Sequence, residues 1–276
     1  MTAPAYRRDG SPASAPPSPG GRRFRFAEWV ADVLRLVALD LRQFFDNKLY
    51  SVSTFLTSVS MVLAFGAATD EMASPAPGAA TFFDFVFPGI LAAGVMFSCT
   101  YTVGYTIIVD RNRRTIEDLI LSPLSYSGFL VARFAGVLFK CLLQFAAVLV
   151  LGIAVFDAAV KSVPLAALAF VTGCLAFAGL GVLVATFSTE ISFPAVVNII
   201  VIPLMYFAGV FFPLGNLGWV GDVMERLPLS VNVELFRAAT GQGPAASGEA
   251  VALAAGYAVA AVAVAAYAFR RRIGRG

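Results

Sequence analysis

Six charged side chains, Asp110, Arg111, Arg113, Arg114, Glu117 and Asp118, crowd the stretch DRNRRTIEDLILSPLS that runs from Asp110 to Ser125. On a helix, Arg113 and Glu117 lie four residues apart on one face, as do Arg114 and Asp118, so two ion pairs support one polar surface. Ile116, Leu119 and Ile120 fall on the side that can pack against neighbouring helices, and Pro123 ends the helical stretch. This is the chemistry of a docking face, built from ion pairs and hydrogen bonds to a partner. An ordinary basic loop at a membrane edge fits the same residues.

Catalytic chemistry has little to work with. The chain holds no histidine, which removes most hydrolytic triads, imidazole proton relays and histidine-ligated metals. Cys99, Cys141 and Cys174 are widely spaced inside apolar runs, a pattern without metal-ligand spacing that reads as three buried, inert thiols. The only lysines are Lys48, Lys140 and Lys161, and none follows a glycine-rich phosphate cradle. The chain therefore carries no nucleotide-hydrolysing loop of that kind, and no cofactor or metal site is expected.

The elements that position the charged stretch are set by composition. Hydrophobic residues make up 59% of the chain and charged ones 13%, and mean hydropathy is +0.80, more than a water-facing surface tolerates. A membrane-crossing helix needs about 20 apolar residues. Six segments qualify, near Leu49 to Ala68, Phe85 to Val109, Phe129 to Phe156, Pro164 to Phe187, Pro194 to Phe212 and Ala250 to Phe269. The expected fold class is an all-α membrane protein of six transmembrane helices.

Lys and Arg decide orientation, because flanks rich in them stay in the cytoplasm. Arg7, Arg8, Arg22, Arg23, Arg25, Arg35, Arg42 and Lys48 precede the first span, whereas the next loop has Asp70, Glu71 and Asp84 and no base. Arg111, Arg113, Arg114 and Arg133 mark the second inner loop, and Arg270, Arg271, Arg272 and Arg275 mark the tail. Both termini are thus expected inside. The net charge of +3 is spread over membrane edges rather than gathered in a stripe with aromatics, so lipid headgroups and not nucleic acid are the expected contacts.

Residues 1–23, rich in Pro, Ser, Ala, Gly and Arg, are expected to be a disordered cytoplasmic tail without the apolar core of a signal peptide. From 24 to 46 the polar residues Arg25, Glu28, Asp32, Arg35, Arg42 and Asp46 form one stripe, and Phe26, Trp29, Val30, Val33, Leu36, Val37 and Phe44 the other. That pattern predicts an interfacial helix. It serves either as a surface anchor or as a connector that also touches a cytoplasmic partner.

Within the spans, Lys140 stands out, about 11 residues into the third, where an isolated charge costs at least about 2.5 to 3.5 kcal/mol. It must snorkel, find a partner or line a pathway. Asn198 and Gln144 are similarly open, and Ser51, Thr54 and Ser58, with Ser53, Thr57 and Ser60, suit helix packing through hydroxyls. Ala252, Gly256 and Ala260 mark an expected close-packing face on the last span. No span holds a central acid and no inverted repeat is evident, which disfavours a secondary transporter; a non-transporting scaffold is the other alternative.

Three motifs carry a family resemblance. Asp110-Arg111, Thr115-Ile116-Glu117 and Pro123 with Ser125, then FAGVFFPL from Phe207 to Leu214, then Leu227-Pro228 followed by Arg237 resemble the type 2 ABC exporter permeases, in the branch of daunorubicin-resistance-like drug exporters and nodulation-type export proteins. The resemblance covers roughly Phe24 to Arg272. Departures are Arg114 where the family often has Gly, Leu227 where it often has Asn, and Gly215 to Gly218 where a further Pro is usual.

The resemblance implies a transmembrane domain over 24–272, a coupling helix that includes Arg113, Arg114, Thr115, Glu117, Asp118 and Pro123, and short outer-leaflet helices before the last span. Glu190 is either a second coupling contact or a solvated loop acid. Lys140, Asn198, Phe211, Phe212, Pro213, Glu234 and Arg237 are the pathway or gate candidates. The implied partners are a second permease subunit, identical or related, and a separate ATPase that binds ATP and Mg. The implied cargo is a lipophilic drug-like, lipid-linked or glycan substrate carried out across the plasma membrane.

Overall fold

A computed structural model of the chain describes residues 26–46, 48–69, 72, 74, 81–112 and 126–273. Among them the regular structure is helical throughout. The helices are α1 (Phe26–Asp46), α2 (Lys48–Thr69), α3 (Phe82–Asn112), α4 (Tyr126–Phe156), α5 (Val163–Phe187), α6 (Ser192–Phe207), α7 (Trp219–Glu225), α8 (Pro228–Thr240) and α9 (Gly248–Ile273), with one 3-10 turn at Leu214–Leu217. Four of these are long and apolar enough to cross a membrane by length and composition: Phe82–Asn112, Val131–Phe156, Val163–Phe187 and Gly248–Arg271.

Local chemistry sets the helix ends. Thr81 and Asp84 form a reciprocal capping box at the start of α3, each backbone N–H donating to the other's side chain at 3.1 Å. Thr189 and Ser192 do the same for α6, at 2.9 and 3.3 Å. Pro occupies the first turn of α5 and of α8, where its missing N–H costs nothing. Gly241 closes α8 at φ 78°, a left-handed cap that a side chain would oppose.

The fifth apolar run behaves differently from its hydropathy. It was expected to reach Phe212, but α6 ends at Phe207 after 16 residues, about 24 Å at 1.5 Å per residue. Gly209, at φ 69°, turns the chain there, and Val210 then enters the core.

The centre of the molecule is α3, α5 and α9, packed through small residues. A Cβ on Gly179 would lie 2.7 Å from the backbone of Ala261, and one on Gly181 would lie 2.5 Å from the carbonyl oxygen of Thr100. Apolar packing between helices has no hydrophobic drive inside a bilayer, so close backbone approach is what holds such pairs. On α9 the buried face is Ala250, Ala254, Ala258 and Ala265. The expected face of Ala252, Gly256 and Ala260 is exposed instead, on the side of the helix opposite the packing seam. Of the hydroxyl residues on the first span, only Ser60 has a described side chain, and it is exposed.

The segment before the last span is not a loose cap. Leu229, Leu235 and Phe236 of α8 are fully buried, and Val231 and Val233 nearly so. The helix is seated on α3 and α5, and Asn232 donates to the Ala169 carbonyl of α5 at 2.7 Å. Lys161 and Ser162, between α4 and α5, donate their backbone N–H groups to the Ala239 carbonyl at 2.9 and 3.0 Å.

Candidate functional site

Helix ends gather at two poles, and the first is charged. Arg111, at the end of α3, donates to the carbonyls of Ala185 at 3.2 Å and Ser188 at 2.5 Å. Asn112 beside it donates to Glu190 at 2.9 Å. The end of α3 is thereby tied to the 188–191 connection between α5 and α6. Arg113, Arg114, Thr115, Glu117, Asp118 and Pro123 lie outside the described residues; the two residues that lead into them are bonded to the neighbouring connection.

Just inside this pole sits a network of two acids and two bases. Lys140 of α4 reaches Asp40 of α1 at 2.6 Å, and Arg133 bridges Asp40 at 3.1 Å and Asp110 of α3 at 2.6 Å. Asp40, Asp110 and Lys140 are each less than a tenth exposed. Removing such groups from water costs several kcal/mol per ion, which only close pairing offsets. The charges balance, and every one has an opposite neighbour.

The network depends on register. Arg133, Gly136 and Lys140 share one face of α4, and a Cβ on Gly136 would meet the Asp40 carboxylate at 2.5 Å. The missing side chain is therefore the space that Asp40 occupies. Lys140 also stands 5.7 Å from the Phe44 ring centroid. Its ammonium faces α1.

Asp40 escaped the amphipathic reading of residues 24–46, although a signal was present. It is in register with Val33, Leu36, Val37 and Phe44 on the apolar face. An acid on that face requires a buried cation opposite, and Arg133 and Lys140 supply two.

At the other pole Arg237 of α8 donates to the Gly209 carbonyl at 2.7 Å and stacks over Phe85 of α3 at 4.2 Å from the ring centroid. Burial lowers its pKa to about 10, still far above neutral pH, so it remains a cation. It locks the turn after α6 to α3 and α8. Phe211 stacks on Phe65 with centroids 5.5 Å apart, while Phe212 is exposed and Pro213 half-buried. Glu234 is different: it accepts from Ser247 at 3.3 Å and opens toward water. Asp222, Glu225, Arg226 and Glu249 line the same hollow, of about 530 Å³.

Asn198 of α6 lies between the poles, accepting from the Tyr101 hydroxyl of α3 at 2.6 Å. Tyr101 belongs to a stacked run with Phe97 and Tyr105, against which Phe193 packs edge-on. On the opposite side of α6, an apolar cleft of about 570 Å³ opens between α5, α6 and α9, lined by Phe177, Leu180, Leu204, Phe207 and Tyr257 among others. The structure thus separates the candidates: Lys140 joins the charged pole, Phe211 and Arg237 the other pole, and Asn198 the interior.

Four long apolar helices and a fifth apolar run that ends early, at Phe207, mark a multi-pass helical membrane protein. A profile of the ABC-2 type transporter family matches residues 32–240, and the chain belongs to that family. It is a permease subunit of an ABC transporter, a transport component rather than an enzyme in itself. No curated protein matches it at a significant level.

Proposed function

We propose that this chain is the membrane subunit of an ATP-driven exporter in the drug-export and nodulation-export-like branch, with six spans and both termini in the cytoplasm of a cell with its plasma membrane as the host bilayer. It pairs with a second permease subunit, and a separate ATPase binds ATP and Mg beneath it. The observation that carries this reading is the bonding of Arg111 and Asn112 to Ala185, Ser188 and Glu190. A push on residues 113–125 passes at once into α3 and, through these bonds, into the connection between α5 and α6. Arg133 extends the same linkage to α1 and α4.

The ATPase-coupling residues are then Arg113, Arg114, Thr115, Glu117, Asp118 and Pro123, with Glu190 as the second contact. The apolar cleft along α5, α6 and α9 suits a lipophilic drug-like or lipid-linked cargo, whose chains it can hold while Arg237 and Phe211 close the outer end. The test is co-purification with a separate ABC ATPase subunit, followed by Glu117→Ala. Loss of permease-stimulated ATP turnover and of vesicle transport, with the complex still assembled, is the expected result. Unchanged transport would remove Glu117 from the coupling surface.

A further inference from the structure

Three cysteines that stand far apart in the chain meet in its interior. Cys99 on α3, Cys141 on α4 and Cys174 on α5 are each no more than 1% exposed. Their Sγ atoms all lie within 4.8 Å of one another, with Cys99 and Cys141 3.1 Å apart. The three thiols are buried, as expected, but the helices bring them together where their sequence spacing showed no ligand pattern. Sequence spacing could not reveal it, because each thiol comes from a different helix.

We propose that Cys99, Cys141 and Cys174 form a three-thiol site for one soft monovalent d10 cation, Cu(I) or Ag(I). Three sulfurs at metal bonds of about 2.3 Å in a trigonal plane are about 4 Å apart, within the span these atoms already have. Sulfur ligands select soft ions. Among the described residues no carboxylate stands in the cluster and the chain has no histidine, so a hard ion finds no anionic oxygen here and tetrahedral Zn(II) lacks a fourth ligand of its usual kind.

A metal-bound cysteine is a thiolate, so the ion binds with loss of one proton from each sulfur that becomes a full ligand, the protons leaving to solvent. Softness, not charge, selects the ion.

The cluster borders a small cavity. A small cavity of about 30 Å³ abuts Cys141, lined by Ser98, Gln144, Gly94, Val95, Phe145 and Val148 together with Ile90 and Leu91. Cys141 donates to the Ser98 hydroxyl at 3.4 Å, and Ser98 donates to the Gln144 amide oxygen. These polar atoms lead from the cavity to the sulfurs. A bound ion joins α3, α4 and α5 at the depth of the bilayer, just beyond the Lys140 pair.

The test uses the reduced, full-length protein in detergent under anaerobic conditions, titrated with Cu(I) against a chromophoric Cu(I) chelator. Expected are one Cu(I) per chain, release of protons on binding, and an X-ray absorption spectrum with three sulfur neighbours at about 2.3 Å. Cys174→Ser should weaken binding by more than about tenfold, since even changes behind the ligands cost about 10- to 100-fold. Absorption on the unaltered chain keeps the proposal falsifiable if the variant does not fold. No binding by the reduced chain, oxygen or two-sulfur coordination, or affinity unchanged in Cys174→Ser would each overturn it.

Discussion

The charged pole and the α3–α5–α9 seam solve the same problem with opposite means. At the pole, α1, α3 and α4 are joined by directional ion pairs whose partners are named atoms. At the seam, helices are joined by the absence of side chains, with Gly179 and Gly181 letting backbones touch. Ion pairs can exchange partners at modest cost when a neighbour moves, because Arg133 already holds two carboxylates. A glycine seam has no second arrangement: close-packed surfaces shift as a body or not at all. On this difference α1 and α4 are expected to shift more readily than the central three helices.

The largest expected effect comes from breaking the pole. Asp40→Ala leaves Lys140 buried without its carboxylate, and removing one partner of a buried pair costs about 3–5 kcal/mol. Thermal unfolding in detergent should fall steeply, and α1 should become accessible to protease. A variant as stable as the parent would mean that the network is incidental.

Next is the seam. Gly179→Leu forces a side chain into the Ala261 backbone, and overpacking of this kind costs about 1–3 kcal/mol or more. If the comparison holds, the loss appears as failure to assemble rather than as altered coupling between ATP turnover and transport. Coupling defects with normal stability would reverse the assignment of rigidity.

A sharper probe is the pair Asp40→Asn with Lys140→Met. Replacing both members of a buried pair by groups of similar volume is often close to neutral, so the double variant should recover most of the stability lost in the single one. Stability as low as in Asp40→Ala would show that Arg133, not Lys140, is the partner that matters. The smallest effect is expected of Tyr101→Phe, which deletes one hydrogen bond to Asn198, about 0.5–1.5 kcal/mol, and should shift the melting temperature by only a few degrees.

Helix positions were legible because hydropathy over 20 residues outweighs any local ambiguity, and α4 and α5 sit within a few residues of the apolar runs. The end of α6 was not, since Phe211 and Phe212 are as apolar as the helix before them; only Gly209 marks the turn, and a glycine alone does not announce its φ. The buried face of α9 was placed on the opposite side because alanine and glycine surround that helix. Asp40 was legible in principle from its register among Val33, Leu36, Val37 and Phe44, but its partners, Arg133 and Lys140, come from another helix. Asn198 and Arg237 were visible as polar residues in apolar surroundings, whereas their partners, Tyr101, Gly209 and Phe85, are set by tertiary packing.

Gly136 makes room for an acid that lies 93 residues from Arg133 in the chain. During synthesis Asp40 emerges long before either base that pairs with it. At about 5–20 residues per second, it waits about 5 to 20 s with no buried cation to receive it. Helix α1 is therefore expected to rest at the water boundary as a nascent segment and to sink into place only when α4 arrives, which makes the docking of the first helix a late event in the birth of the protein.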